Sequence, residues 1–246
     1  MADMQPNNSG VRRLGSLLPE TSADVHVSGI TLDSREVEPG WLYAALPGQR
    51  THGARFAAQA VERGAVAVLT DRDGAELASD VDVPVVVVED ARRCLGEVAA
   101  AFYGNPSAQL TSFGVTGTNG KTTTVALIAE ALRSLGNSVG TIGTLGARLD
   151  GVPLDAHSTT VTTPEAPDLQ QQLAAMRDSG ADAVALEVSS HALSLERVRG
   201  IQFDVVGFIN LGQDHLDYHR TIDEYFAAKC KLFESGRSKT CLLYTS

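Results

Sequence analysis

Apolar residues in the first hundred positions form short runs that alternate between strand-like and helix-like spacing. A Pro-Gly turn precedes the run at 41–46, which predicts a strand. Residues 56–63 have helical spacing ended by a glycine, and β-branched runs at 65–69 and 83–88 predict two more strands. The spacing at 91–103 predicts the helix that follows. This order predicts a small α/β domain.

A group of turn-forming residues, Gly-Asn-Pro-Ser, interrupts that pattern at 104–107. Glycine, asparagine and proline close together favour a loop over a helix or a strand. We therefore predict a domain boundary there. The chain would comprise a polar lead at 1–21, a first domain at 22–106 and a second domain at 107–246.

Repeated units of strand, loop and helix are predicted for the second domain. The expected strands are 110–115, 138–142, 183–188 and 205–209, and the expected helices are 121–135, 167–179 and 222–234. Thr221 followed by Glu224 is a capping-box pattern that would start the last helix. Such alternation predicts an α/β fold with a mostly parallel sheet covered on both faces.

The composition narrows the classes of partner. The 246 residues are 43% apolar, which is enough for real hydrophobic cores. A net charge of -10 repels phosphate polymers and anionic lipid, so nucleic acid is not an expected partner and ligands should bind in local pockets. No run of about 18 apolar residues occurs, so we expect no membrane insertion and a cytoplasmic location. Three unclustered cysteines fit neither a disulfide framework nor a zinc knuckle.

The most specific motif is Thr-Gly-Thr-Asn-Gly-Lys-Thr-Thr at 116–123, here called the phosphate loop, between a predicted strand and an alanine-rich helix. Its glycines let backbone N–H groups close around phosphate, and the helix N-terminus adds a positive dipole. Lys121 would neutralise phosphate charge, and Thr122 would hold Mg²⁺. Val115 stands where the general motif has its first glycine, so the loop is a variant form. The expected nucleotide-binding residues are Gly117, Thr118, Asn119, Gly120, Lys121, Thr122 and Thr123.

Two further polar segments follow predicted strands, at the edge where open α/β sheets place their ligands. Glu187 lies near the end of the run at 183–188, where its carboxylate would either ligate Mg²⁺ or be a solvated strand end. The segment 210–219 holds two histidines and two aspartates, which by themselves also suggest zinc. No third nitrogen or thiolate ligand has suitable spacing, so Mg²⁺ with ATP is the preferred interpretation.

The phosphate loop, with asparagine before its second glycine, resembles the ATP loop of the Mur ligase and folylpolyglutamate synthetase superfamily. The segments 187–191 and 210–219 resemble the Mur ligase segments at the same points of the fold. The resemblance implies that Ser189 and Arg197 contact substrate and that His215 helps to hold a second metal ion.

Lys229 ends an Ala-Ala-Lys sequence on the last predicted helix. Taken alone, a helical lysine is normally a solvated surface residue. The segment resembles the one whose lysine is carbamylated in Mur ligases, which implies a carbamate that positions metal and phosphate. The implied catalytic residues are Lys121, Glu187, His215 and Lys229, and the implied metal ligands are Thr122, Glu187, His215 and Lys229.

The first domain carries a second resemblance. Its segments 31–35, 39–40 and 45–48 are similar to the uridine-nucleotide domain of the Mur ligases that add a diamino acid or D-alanyl-D-alanine, a domain that folylpolyglutamate synthetases lack. Thr-Thr-Pro-Glu at 162–165 resembles the diamino-acid-adding branch. The implied substrate-binding residues are Leu32, Ser34, Gln49, Arg50, Thr51, Thr162, Thr163, Ser189 and Arg197.

Together these resemblances imply an ATP-dependent amide ligase of peptidoglycan synthesis. With Mg²⁺, ATP would convert the D-glutamyl side-chain carboxylate of UDP-N-acetylmuramoyl-L-alanyl-D-glutamate into an acyl phosphate. The amine of a diamino acid would then attack it. The sequence does not distinguish meso-diaminopimelate from L-lysine as the added residue.

The resemblance runs from about residue 14 to residue 233 and then stops. The family's carboxyl-terminal ligase domain, which closes over ATP and supplies the diamino-acid pocket, is expected to be missing. Residues 238–246 do not resemble the next strand of the family, as in a truncated or chimeric reading frame. We expect a monomer that is inactive as isolated. Two alternatives stay open, a D-alanyl-D-alanine-adding ligase and a nucleotide-binding fragment without turnover.

Overall fold

The computed structural model describes residues 10–154, 161–214 and 216–243. Contacts between residues divide the chain into a first unit, Asn8–Tyr103, and a second unit that contains Gly104–Ser246. Each unit has its own β-sheet and its own hydrophobic core.

The described part of the first unit contains strands and helices in an alternating order. They are β1 (Arg12–Arg13), α1 (Leu14–Leu17), β2 (His26–Val27), β3 (Gly29–Thr31), β4 (Trp41–Ala44), α2 (Ala57–Glu62), β5 (Ala67–Thr70), α3 (Arg72–Leu77), β6 (Val85–Val87) and α4 (Ala91–Phe102). Strands β3, β4, β5 and β6 form a parallel sheet in that order, and β1 pairs with β2 antiparallel. The carboxyl ends of all four parallel strands therefore meet at one edge.

Successive residues of β4 pack on opposite faces of this sheet, as the two-residue period of a strand requires. Leu42 lies in a core with α1 and α4, whereas Tyr43 packs against α2 on the other face. The Tyr43 hydroxyl donates to the Gly53 carbonyl at 2.8 Å, which satisfies its polar end. Burial raises the pKa of Tyr43 to about 12.

The described part of the second unit contains the larger sheet. Its elements are β7 (Thr111–Thr116), α5 (Lys121–Ser134), β8 (Val139–Gly143), β9 (Gly146–Leu149), β10 (Val152–Pro153), α6 (Ala166–Asp178), β11 (Ala183–Glu187), α7 (Ser190–Ser194), β12 (Phe203–Phe208), α8 (Leu216–His219), α9 (Ile222–Cys230) and β13 (Ser238–Leu243). The order is β10-β9-β8-β11-β7-β12-β13. The five strands from β8 to β13 in this order pair in parallel, and β9 and β10 add an antiparallel hairpin at one edge.

Helices cover both faces of the larger sheet. On one face Val125 of α5 packs against Val115 of β7. On the other face Leu173 of α6 packs in a core that also contains Leu193 of α7 and Leu232 from the turn after α9. This layering agrees with the prediction of a mostly parallel sheet covered on both faces.

The connections place a crevice at the carboxyl ends of β7 and β12, which are neighbours in the sheet. The chain leaves β7 through α5 toward β8 on one side and leaves β12 through α9 toward β13 on the other. Adjacent strands whose connections diverge in this way form a topological switch point, where open α/β sheets bind ligands. A ligand site is therefore expected among the residues that follow β7 and β12.

Some predicted elements need correction. The last helix, expected to reach residue 234, ends at Cys230 and continues as a 3-10 turn at Lys231–Phe233. Residues 238–246 were expected not to resemble the family's next strand, and in the described part Ser238–Leu243 forms a strand that pairs with β12 in parallel. Over the described residues, no helix is long and apolar enough to cross a membrane.

Candidate functional site at the carboxyl edge of the sheets

The phosphate loop joins β7 to α5 and depends on two glycines. Gly117 has φ +154°, and a Cβ placed there would collide with the Ile209 side chain. Gly120 caps α5 in the left-handed conformation, with φ +83°, which an L side chain rarely adopts. Glycine at both positions lets the backbone turn sharply toward the N-terminus of α5, where N–H groups and the helix dipole favour an anion.

Asn210, directly beyond β12, fastens this loop. Its Oδ1 accepts from the backbone N–H groups of Thr118 and Asn119, both at 3.0 Å, and its Nδ2 donates to the Asn119 carbonyl at 2.9 Å. Sequence reasoning assigned Asn210 no role, although it lies in the quoted segment 210–219. The contact spans about ninety positions of sequence, so it becomes visible only when the sheet places β12 beside β7.

Two lysine amines converge on one carbonyl of the phosphate loop. Lys121 Nζ donates to the carbonyls of Gly117 at 2.9 Å and Thr118 at 3.0 Å. Lys229 Nζ, on α9, donates to the same Gly117 carbonyl at 2.8 Å. The Lys229 side chain is 1% exposed and lies over the ring of Tyr225, with 4.4 Å from Nζ to the ring centroid.

Burial and like charge change the protonation of both amines. Burial, with the nearby Lys121 charge, lowers the pKa of Lys229 to about 7, although Asp214 opposes the shift. The pKa of Lys121 is also lowered, chiefly by burial, and Glu187 and Asp214 oppose it. Near neutral pH a substantial fraction of Lys229 is therefore an uncharged, nucleophilic amine.

Glu187 ends β11 beside β7 and is 2% exposed. Its Oε1 accepts from the Thr144 backbone N–H at 3.0 Å, and its Oε2 accepts from the Thr144 hydroxyl at 3.2 Å. The carboxylate lies so close to Gly143 that a Cβ there would overlap it. The sequence pointed to Glu187 but not to Thr144 or Gly143, whose turn after β8 holds the carboxylate in place.

The Thr163 cluster, defined as Thr162, Thr163, Ser189 and Arg197, lies next to the end of β11. The buried Thr163 hydroxyl donates to the Glu187 carbonyl at 2.9 Å and accepts from the Ser189 N–H at 3.1 Å. Ser189 caps α7, since its Oγ accepts from the Ala192 N–H. This network ties the segment before α6 to the strand end that carries Glu187.

Arg197 completes the Thr163 cluster from the chain after α7. Its Nη1 donates to the Thr163 carbonyl at 3.1 Å, and its Nη2 forms an ion pair of 2.6 Å with Glu165. The Thr162 hydroxyl lies 3.3 Å from that of Thr144. The structure therefore brings all four predicted residues together around the carboxyl end of β11.

Two of the three remaining predicted residues of the second unit lie in the first turn of α5. Thr122 is half-buried and lies in the first turn of α5, and the next residue, Thr123, is exposed. His215 lies outside the described residues. Over the residues that are described, no three His, Cys, Asp or Glu side chains are grouped to hold a metal ion on their own.

In the first unit the predicted substrate residues follow β3 and β4 at the common carboxyl edge of the small sheet. Leu32 is half-buried. Ser34 is 6% exposed, and its hydroxyl donates to Gln59 Oε1 at 2.8 Å. An ST turn, in which the Asp33 N–H donates to Thr31 Oγ1 at 3.1 Å, shapes this loop.

Gln49, Arg50 and Thr51 form an exposed loop after β4. His52 anchors its end, because Nδ1 accepts from the Ala54 N–H at 3.1 Å and Nε2 lies 3.1 Å from Asp71 Oδ1. Nε2 must then carry the hydrogen that faces the Asp71 carboxylate. Sequence reasoning missed this His52–Asp71 pair, since the two residues become neighbours only through the sheet.

Comparison with protein families assigns both units to one group. Residues 115–245 match the Mur ligase middle domain, and residues 26–103 match the Mur ligase family, catalytic domain. The matched residues include the whole phosphate loop, Glu187, the Thr163 cluster and Lys229.

Curated relatives are similar along most of the chain. The UDP-N-acetylmuramoyl-L-alanyl-D-glutamate--2,6-diaminopimelate ligase of Streptomyces avermitilis is 51% identical over 227 residues, which cover 92% of this chain and 44% of the relative. The protein of that name from Corynebacterium glutamicum is 49% identical over 212 residues, covering 85% of this chain and 40% of the relative. The chain thus spans less than half the length of these relatives.

Solved structures show the same fold. A UDP-N-acetylmuramoyl-L-alanyl-D-glutamate--2,6-diaminopimelate ligase matches with a TM-score of 0.80 and 32% identity, over 95% of this chain and 47% of that one. MurF from Acinetobacter baumannii matches with a TM-score of 0.62 and 22% identity, over 91% of this chain and 46% of that one. The second likeness shows a shared fold.

Proposed function

The chain belongs to the Mur ligase family, and from that premise we propose that it is the uridine-nucleotide and ATP-binding part of a diaminopimelate-adding ligase. The proposed reaction joins diaminopimelate to the D-glutamyl side-chain carboxylate of UDP-N-acetylmuramoyl-L-alanyl-D-glutamate, with hydrolysis of ATP to ADP and phosphate. The choice of diaminopimelate over L-lysine is supported by the names of the relatives that are about half identical to this chain.

One observation carries the proposal, namely that Lys121 and Lys229 converge on the Gly117 carbonyl beside the buried Glu187 carboxylate. Lys121, packed against a glycine loop at a helix N-terminus, makes a site for a polyanion, and Lys229 lies beside it. A carboxylate beside them would repel phosphate unless a cation lies between. This combination fits a nucleoside triphosphate bound with a divalent cation.

The residues present fit Mg²⁺. Glu187 is buried, and over the described residues its carboxylate receives hydrogen bonds from Thr144 and forms no ion pair, so it keeps oxygen lone pairs for a hard cation. Glu187 and Thr122 would hold the ion, with His215 and a carbamate on Lys229 near a second one. When bound, Mg²⁺ would supply positive charge to the transferring phosphoryl group.

The surroundings of Lys229 favour carbamylation of its amine. CO₂ reacts with a neutral amine, and burial lowers the pKa of Lys229 to about 7, far below the value of ordinary lysine. The product carries a negative charge, so it would replace repulsion from Lys121 with attraction. Tyr225, whose ring lies beneath the Lys229 amine, would keep the group aimed at the phosphate loop.

The other residues would bind and orient the acceptor. The Thr163 cluster lies at the end of the strand that carries Glu187, and its Arg197 guanidinium suits the carboxylates of a muramoyl dipeptide. In the first unit Leu32, Ser34 and the loop 49–51 would bind the uridine nucleotide. Because the proposed substrates are ATP and a UDP-linked precursor, we place the reaction in the cytoplasm. We also propose that the protein is a monomer.

Proposed chemistry needs both the loop and the acceptor site. The γ-phosphoryl group of ATP passes to the D-glutamyl carboxylate, which forms an acyl phosphate and releases ADP. The amine of diaminopimelate then attacks the acyl carbon, the amide forms and phosphate leaves. Lys121 would offset the negative charge on the phosphoryl oxygens while the phosphoryl group is transferred. We propose that these 246 residues by themselves bind the nucleotides without turnover.

The ATP-site assignment is tested by Lys121→Ala, with Lys231→Ala as the matched control. Lys231, 37% exposed in its side chain, pairs with Glu196. Calorimetry with Mg-ADP should show at least about a tenfold loss of affinity for Lys121→Ala, about 1.4 kcal/mol, and no change for the control. Equal affinity in both variants would remove the assignment of the phosphate loop to ATP.

A further inference from the structure

His219, the last residue of α8, is a buried polar residue with a defined partner. It is 5% exposed, and its Nε2 lies 2.9 Å from the hydroxyl of Ser190, which is 1% exposed. A buried imidazole is costly unless it is hydrogen-bonded, so this bond fixes the end of α8 to the start of α7.

The α7 side of this contact belongs to the proposed acceptor site. Ser190 directly follows Ser189, whose backbone N–H donates to the Thr163 hydroxyl and whose own hydroxyl caps α7. A shift of α7 therefore moves the Thr163 cluster. The Ser190 hydroxyl is the place where His219 restrains that helix.

The opposite side of His219 leads to the phosphate loop. The centroids of the His219 and Tyr225 rings are 5.3 Å apart, and Tyr225 is 1% exposed. The Tyr225 hydroxyl donates to Thr118 Oγ1 at 3.2 Å, and the same oxygen accepts from the Gly212 N–H at 2.8 Å. Tyr225 thus has little room to move unless the phosphate loop moves with it.

We propose that His219 is a positioning residue that couples the acceptor site to the nucleotide site. The inference rests on the proposed function, since it needs two ligands, one at the Thr163 cluster and one at the phosphate loop. His219 contacts Ser190 on one side and Tyr225 on the other, and it acts on the two sites through these residues. Because both contacts are buried and short, closure of either site on its ligand stabilises the arrangement that the other ligand needs. Such coupling is reciprocal, so each ligand raises the affinity for the other by the same factor.

Two substitutions separate coupling from simple filling of space. His219→Phe keeps an aromatic ring against Tyr225 and removes the hydrogen bond to Ser190. His219→Gln replaces the ring but places an amide near the position of Nε2, so the bond is retained. Ser190→Ala removes the same bond from its other end. His26→Phe, at an exposed histidine of the first unit, is the control for a histidine replacement.

The experiment measures Mg-ADP affinity by calorimetry on the 246-residue chain, with and without saturating UDP-N-acetylmuramoyl-L-alanyl-D-glutamate. In the unmodified chain and in His26→Phe, the acceptor should raise Mg-ADP affinity about fivefold or more. The ratio should fall to near one in His219→Phe and Ser190→Ala, while either ligand alone binds within about threefold of normal. His219→Gln should retain most of the ratio.

An unchanged ratio in His219→Phe overturns the coupling role. Loss of both separate affinities together with a lower Tm also overturns it, because that pattern belongs to a residue that only fills the core. If the unmodified chain binds both ligands without any coupling, the inference fails and the proposed function stands. If the unmodified chain binds neither ligand, the proposed function fails and takes this inference with it.

Discussion

The amine of Lys229 is held against a backbone carbonyl inside the protein, so its protonation follows from its surroundings. Its pKa is lowered to about 7 from the usual lysine value of 10.5, with burial as the largest cause. A group of this kind binds more protons in the unfolded chain than in the folded one between these two values. Stability therefore rises with pH across that window.

Replacement by an uncharged side chain should remove that dependence. In CO₂-free buffer, Lys229→Met should be more stable than the unmodified chain at pH 7, by roughly 2–4 kcal/mol. The difference should shrink as the pH approaches 10.5, because the unmodified chain gains stability there. Urea denaturation at several pH values measures it, and Lys231→Met serves as the control with a partly exposed lysine. A gap that does not vary with pH would mean that Lys229 is not held uncharged.

Two roles of Ser34 can be tested separately: its hydrogen bond inside the protein and its proposed contact with the UDP-linked dipeptide. Its hydroxyl donates to the side chain of Gln59, which is an exposed residue. Loss of that bond should therefore cost little stability. Ser34→Ala should weaken binding of UDP-N-acetylmuramoyl-L-alanyl-D-glutamate by about tenfold and leave Mg-ADP binding unchanged.

The matched control for that prediction is Gln59→Ala, which removes the same internal bond and keeps the serine. Calorimetry should show normal binding of the UDP-linked dipeptide to it. Equal losses in both variants would show that the turn after β3 needs the bond for its shape, and that the Ser34 hydroxyl does not contact the ligand.

At the scale of elements, local signals predicted what local contacts decide. The strand before the phosphate loop, the loop and α5 lie within one or two residues of the prediction, because glycines and a helix N-terminus specify that turn. The expected cap of α9 is present, with Thr221 Oγ1 accepting from the Glu224 N–H at 3.1 Å. The β9–β10 hairpin was missed although its Asp150-Gly151 turn, with φ +50° and +82°, is a strong hairpin signal.

Contacts between segments that are distant in the sequence could not be predicted from it. Asn210 reaches the phosphate loop, and Thr144 holds Glu187, because parallel pairing brings their strands together. Helix α3 was also missed, since it contains Gly74, which lowers helix propensity. Gly74 is required there because a Cβ would overlap the Thr70 hydroxyl.

The cap of α9 matters because this helix carries Tyr225 and Lys229. Thr221→Ala should lower the free energy of unfolding by about 1 kcal/mol, since the Glu224 N–H loses its acceptor. Thr221→Ser, which keeps a hydroxyl, should lose much less. Chemical denaturation of the two variants compares them directly. If both lose the same amount, the packing of the threonine methyl group, and not the cap, is what stabilises the helix.

At the scale of the whole molecule, two units with separate cores carry two separate sets of predicted ligand residues. Hydrogen exchange should resolve them. Mg-ADP should slow exchange at the N–H groups of the phosphate loop and the first turn of α5, whereas UDP should slow it in the loops after β3 and β4. Each ligand added alone is the control for the other. Protection by UDP confined to the second unit would contradict a uridine-nucleotide site in the first.

The sheet of the second unit ends in β13, which in the described part of the chain pairs on one side alone, with β12. In that part its outer row of backbone donors and acceptors pairs with no further strand, and Leu242 beside them is 61% exposed. An open edge with apolar side chains is a template for another strand. For anyone preparing this polypeptide, shelf life and crystallisation therefore depend on protein concentration: dilute stocks kept well above the pI of about 5.0, where the net charge is strongly negative, will stay clear longest.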